Sequence, residues 1–161
     1  MESRARLFGH PIHQMLIVFP LGLLATALVF DAIQLITGNG FWSLLAYWIM
    51  AAGIVGGLLA APFGLVDWLA IPGGTRAKRI GALHGGGNVV VLFLYLVSWL
   101  MRGGNPSAPE LPAIVVAFLG GGLAMITGWL GGELVDRLAV GVDEGAHVDA
   151  PSSLASRRAR E

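Results

Sequence analysis

The chain has 161 residues, 55% hydrophobic and 12% charged, with a mean hydropathy of +0.73; soluble domains carry about a quarter charged residues, so this composition is that of an integral membrane protein. Ten basic and ten acidic residues cancel, which leaves no overall charge with which to hold nucleic acid. The absence of cysteine excludes disulfides, iron–sulfur clusters, covalently attached c-type haem and thiolate zinc sites, so a metal or cofactor would have to use His, Asp, Glu or Asn.

Residues 1–11 form a polar arm with Arg4 and Arg6. It runs into Gly9-His10-Pro11-Ile12-His13, two histidines three apart at the mouth of the first apolar segment. Pro11 suits a first helical turn, where the missing N–H would be unpaired anyway. The first helix is predicted over residues 12–36, enough to cross a hydrocarbon core of about 30 Å. It is too long for a signal-peptide core and lacks a small-residue cleavage site, so it reads as a retained membrane helix.

Thr37-Gly38-Asn39-Gly40 is a turn, and a second helix is predicted over residues 41–71. That is longer than a span needs and predicts a tilt, or a kink at Pro62. Gly53, Gly57 and Ala61, and again Ala52, Gly56, Ala60 and Gly64, recur every four residues, a pattern that lets helices approach closely in lipid. Pro72-Gly73-Gly74 ends this helix, and Arg76, Lys78 and Arg79 make the next loop basic. A third helix is predicted over residues 80–101. A Gly, Pro, Asn and Ser-rich loop over 102–112 turns the chain into a fourth, residues 113–138, with Gly120, Ala124, Gly128 and Gly132 as its small stripe. Residues 141–161 are few in apolar side chains and predict a flexible tail, with His147 solvated.

The expected fold is therefore an all-α membrane protein of four transmembrane helices in an up-down-up-down bundle. Nine of the ten Lys and Arg residues fall on one side of it and only Arg102 on the other. The positive-inside rule then places both termini on the cytoplasmic side. The ends of the second and fourth helices repeat each other: Leu65-Val66-Asp67-Trp68-Leu69-Ala70-Ile71 and Leu134-Val135-Asp136-Arg137-Leu138-Ala139-Val140 agree at five of seven positions. His13 precedes Asp67 by 54 residues and His84 precedes Asp136 by 52, which suggests two duplicated helical hairpins.

This topology gathers His10, His13, Asp67, His84, Asn88, Glu133 and Asp136 in one layer, and polar side chains at membrane depth mark a candidate site. Three readings fit it. Haem b would take His13 and His84 as axial ligands, with His10 as the alternate and the small stripes making room for the macrocycle. A transition-metal ion would draw on His10, His13, His84, Asp67 and Glu133, with Asn88 and Asp136 behind them; an open coordination position would permit hydrolysis. With no cofactor, the same groups would hydrogen-bond one another and fix how the hairpins dock. Asp31 lies five turns beyond His13 on the same helix face, near the opposite end, and with Gln34 marks either the far end of an ion path or a hydrogen-bonded cap. Arg157, Arg158 and Arg160 form a short patch suited to anionic lipid.

Gly9-His10-Pro11-Ile12-His13, Gly64-Leu65-Val66-Asp67-Trp68 leading into Pro72, His84 with Asn88, and Gly131-Gly132-Glu133-Leu134-Val135 leading to Gly141-Val142 resemble the bacterial membrane family catalogued as domain of unknown function 2231. The resemblance covers about residues 7–142 and implies a four-helix membrane module without an assigned activity. Relatives that carry a Rieske or cytochrome c domain on the same chain imply an electron-transfer membrane setting. The sequence departs from the family pattern at Gln14, where a proline is common, and near Leu138, where many members have a histidine. The expectation is a membrane subunit of a respiratory or photosynthetic electron-transfer system, with haem b or a metal at His13 and His84. The alternatives are a cofactor-free accessory subunit, docking through the Gly and Ala stripes of helices two and four, and a metal-dependent membrane hydrolase.

Overall fold

The structure, a computed structural model, describes residues 1–155. Four helical segments, Ile12–Thr37, Gly40–Ala70, Arg76–Arg102 and Leu111–Arg137, are long and apolar enough to cross a membrane. The predicted all-α, four-span fold is what the chain adopts. Large apolar side chains such as Ile36, Met125 and Trp129 stand exposed on it, the surface that lipid covers in a spanning protein.

The first span is two helices, α1 (Ile12–Leu16) and α2 (Val18–Thr37). Pro20 explains the break: it has no N–H to return to the carbonyl of Leu16, four residues earlier, so the ladder is interrupted at Ile17. Gly38 then closes α2 in the left-handed conformation, φ 66°, with its N–H on the Gln34 carbonyl. The next helix, α3, runs from Gly40 to Ala70 with Pro62 inside it, capped at its start by Asn39, whose side chain accepts from the Phe41 amide. Helix α4 spans Arg76–Arg102, one turn longer at its start than the sequence predicts, because Thr75 accepts from the Lys78 amide and caps it there. The basic residues expected in a loop thus form the first turn of α4.

Helix α5 covers Leu111–Gly132 and continues as a π-helical turn, Glu133–Arg137. The arm is also structured: β1 (Arg6–Leu7) pairs antiparallel with β2 (His10–Pro11) across a two-residue turn. Phe8 and Gly9 both have positive φ there, 51° and 88°, as the tight hairpin turns that match strand twist require.

Contacts descend α3 as they ascend α1 and α2: His13 lies against Ala60 and Gly64, and Leu24 against Gly53. The second hairpin repeats the arrangement, with His84 against Thr127 and Gly131 and Tyr95 against Gly120. Between the hairpins the first span, α1 with α2, meets α4 through three pairs, His13 with His84, Leu24 with Tyr95 and Asp31 with Arg102, each 71 residues apart in the chain. Leu24, Ala27, Ala46, Met50, Val91 and Tyr95 form the core between these pairs. The glycines of the small stripes are what allow the approach. A Cβ at Gly53 would sit 2.6 Å from a Leu24 methyl, and one at Gly57 2.6 Å from a Leu92 methyl.

Candidate functional site

His13 is the second residue of α1, which begins after the extended N-cap Pro11, and Gly64 leaves room for its ring: a Cβ at Gly64 would lie 2.8 Å from its Cε1. Its Nδ1 lies 3.0 Å from the Ala60 carbonyl, which can only accept, so Nδ1 carries a proton and, in the neutral ring, Nε2 is the nitrogen left with a lone pair. His84 is built in the same way. Its Nδ1–H donates to the Thr127 carbonyl at 2.8 Å, and a Cβ at Gly131 would come within 3.1 Å of its ring. The Thr127 hydroxyl donates to Asn88 Oδ1 at 2.9 Å, which turns the Asn88 amide nitrogen toward His84 Nε2 at 3.3 Å. The same amide nitrogen is 3.5 Å from Nδ1, so Asn88 lies over the His84 ring, and it is the Thr127 carbonyl that makes Nδ1 the donor. The two imidazoles are neighbours with centres 6.5 Å apart and perpendicular planes, 89°, in a T-shaped arrangement.

The other residues of the predicted layer are engaged elsewhere. His10 sits on β2, exposed, with Nε2 3.4 Å from Ser153 Oγ. Asp67 accepts from Ser3 Oγ at 2.7 and 2.8 Å, from the Arg4 amide at 2.8 Å and from the Ala5 amide at 3.4 Å, so it anchors the arm. Glu133 pairs with Arg76 at 2.7 Å. Asp136, on the π-turn, has a carboxylate oxygen 3.9 Å from where a Cβ on Gly132 would sit. Among the described residues no three His, Asp or Glu side chains converge as a metal-binding group. The structure therefore brings together His13, His84 and Asn88, and places His10, Asp67 and Glu133 with other partners.

At the opposite end lies a feature that sequence reasoning missed. Arg102, expected in an outer loop, is the last residue of α4 and wholly buried, with both terminal nitrogens on Asp31 at 2.6 and 2.7 Å. Its Nε donates to Ser98 Oγ at 3.2 Å, and Ser98 donates to the Ala113 carbonyl at 2.6 Å. Two charges in an apolar bundle are tolerable only when neutralised and hydrogen-bonded together, and a bidentate pair does both. His84, Asn88, Tyr95, Ser98 and Arg102 follow helical spacing along one face of α4. That periodicity is the signal in the sequence that places Arg102 inside.

The tail returns to the arm. Arg6 bonds to Glu2 and, at 3.0 Å, to Asp143. The Gly145 amide and Arg6 hold the Asp143 carboxyl below the ordinary carboxylate range. Gly141 donates its amide to the Met1 carbonyl, so the first part of the predicted tail is docked. Arg157, Arg158 and Arg160 lie outside the described residues.

Four apolar spans around a buried ion pair and a half-buried histidine pair define a multi-pass integral membrane protein. Residues 9–144 match the family described as "Predicted membrane protein (DUF2231)", and the chain belongs to that family. No curated protein and no solved structure matches it.

Proposed function

We propose that the chain is a membrane subunit whose His13 and His84 together bind one transition-metal ion, in the electron-transfer membrane setting that the family resemblance implies. The observation that supports it is the paired orientation: each ring gives its Nδ1–H to a backbone carbonyl, which in the neutral imidazole leaves the Nε2 lone pair for a ligand. Histidine ligands of metals are oriented in this way, by a hydrogen bond from the non-ligating nitrogen. The spacing agrees. Two imidazoles on opposite sides of one metal, at a metal–nitrogen distance of about 2.0–2.1 Å, have ring centres roughly 6 Å apart, against 6.5 Å here. Asn88 stands beside the pair as its polar neighbour.

Haem b fits the same two ligands less well. The clearance at Gly64 and Gly131 is taken up by the imidazoles themselves rather than left for a macrocycle, so a bare ion suits the packing better. A hydrolase is disfavoured, because Asp67 and Glu133, the carboxylates it would use as base, are tied to the arm and to Arg76. The second reading, a cofactor-free accessory subunit, draws on the backbone bonds of both rings and on Asn88 lying over His84, which hold the pair without a ligand. In this account Gly53, Gly57 and Gly64 of the second helix and Gly120 of the fourth serve the interior, where they meet side chains of neighbouring helices, whereas Gly128 borders open space. The two hairpins are read as a duplication. The offset of 67 residues between Gly53 and Gly120, and between Gly64 and Gly131, rises to 69 at Asp67 and Asp136, and the two extra residues enter where the π-turn begins. By the distribution of Lys and Arg both termini are cytoplasmic, in a bacterial inner membrane.

Metal analysis and an absorption spectrum of detergent-purified protein, prepared without chelator, test the proposal. One equivalent of iron, copper or zinc that is lost in His13→Ala and in His84→Ala is expected. Metal-free protein, or metal unchanged by both variants, selects the accessory-subunit reading, and a Soret band selects haem.

A further inference from the structure

We infer that residues 1–11 are a strap across the end of the bundle, latched by Asp67, that controls access to the His13–His84 pair. This rests on reading that pair as a ligand site. Ser3 is 5% exposed although it is the third residue of the chain, because its hydroxyl lies on the Asp67 carboxylate. Two successive amides, of Arg4 and Ala5, donate to the same Asp67 oxygen. The strap also spans the gap between the hairpins. Met1 contributes its ammonium to the Ala139 carbonyl, and its own carbonyl accepts from the Gly141 amide, both just beyond the π-turn of the second hairpin. Asp67, on the first hairpin, is one turn beyond Gly64, the seat of His13.

Residues 1–5 therefore cross from the second hairpin to the first at the end nearest the two imidazoles. The Ile12 amide on the Ala5 carbonyl folds the strap back onto the start of α1, and Gln14 and Pro11 pack against Gly141. An ion or water approaching His13 and His84 from this end meets the strap first. Asp67 is suited to a releasable latch because its bonds go to an arm rather than to a neighbouring helix. Opening needs no rearrangement of the bundle.

Diethyl pyrocarbonate labelling of the chelator-treated full chain, read residue by residue by mass spectrometry, tests this. In the unaltered protein the exposed His10 and His147 label fast, and His13 and His84 slowly. In Asp67→Asn the rates at His13 and His84 rise at least about tenfold, the change expected when a charge-assisted hydrogen bond is lost, while His147, outside the strap, keeps its rate. Ser3→Asp, which sets a second carboxylate against Asp67, gives the same result. Trypsin cleavage after Arg4 reports release of the strap independently. Faster cleavage with unchanged labelling at His13 and His84 overturns the strap as a gate. Unchanged cleavage in both variants overturns Asp67 as its latch. Labelling needs no metal, so the gate stands or falls separately from the metal content of His13→Ala, on which the proposed function depends.

Discussion

Asp31 and Arg102 illustrate how a charged residue survives inside an apolar bundle. Each is wholly buried, and each supplies what the other lacks. Removing one partner strands the other, and a broken buried pair costs about 3–5 kcal/mol. Asp31→Asn is thus expected to lower stability by that order in detergent unfolding, whereas the double variant Asp31→Leu/Arg102→Met recovers most of the loss. The glycine seats act at the same scale. Gly64→Ala forces a methyl against the His13 ring and is expected to cost about 1–3 kcal/mol, while Gly128→Ala, with open space around it, is close to neutral by the same measurement. Residue identity alone revealed His13, His84 and Asn88, because a histidine in an apolar helix must find a partner. It did not reveal that Asp67 serves the arm, since donors on Ser3, Arg4 and Ala5 carry no signature in sequence.

At the scale of elements, the four spans were legible from hydropathy, but their ends and breaks followed local chemistry. Pro20 divides the first span, and Thr75 extends α4 by a turn. Lys78 joins two elements: its ammonium donates to the carbonyls of Trp68 and Leu69 at the end of α3 and lies 4.1 Å from the centre of the Trp68 ring. Lys78→Met is expected to cost about 1–2 kcal/mol through the lost cap and cation–π contact, and to speed hydrogen exchange in the last turn of α3. The arm and the tail are joined by an exposed pair that depends on pH. The Asp143 carboxyl is held below its ordinary value, so its contribution is present above the unfolded carboxylate pKa and is lost as pH falls through the lowered folded value. Spin labels at residues 8 and 145 are expected to show a narrow distance distribution at neutral pH that broadens only in strong acid. In Asp143→Asn that broadening is present at neutral pH.

At the scale of the whole molecule, two polar levels are separated by an apolar core. His13, His84 and Asn88 lie at one level and Asp31 with Arg102 at the other, with Leu24, Ala27, Met50 and Val91 between. The sequence foresaw the first level from spacing and misplaced half of the second, because Arg102 sits at a helix end followed by Gly103 and Gly104 and so looks like a loop residue. Its distance of 71 residues from Asp31, the same as from His13 to His84, places it inside. The repeated facing geometry is what makes the two histidines a pair, and the metal reading depends on them acting as one. The most direct measurement is a titration of chelator-treated protein with zinc or copper, following metal bound per chain. The account predicts one equivalent bound by the unaltered chain and none by His13→Ala/His84→Ala, with both proteins equally folded by circular dichroism; equal binding by the two contradicts it.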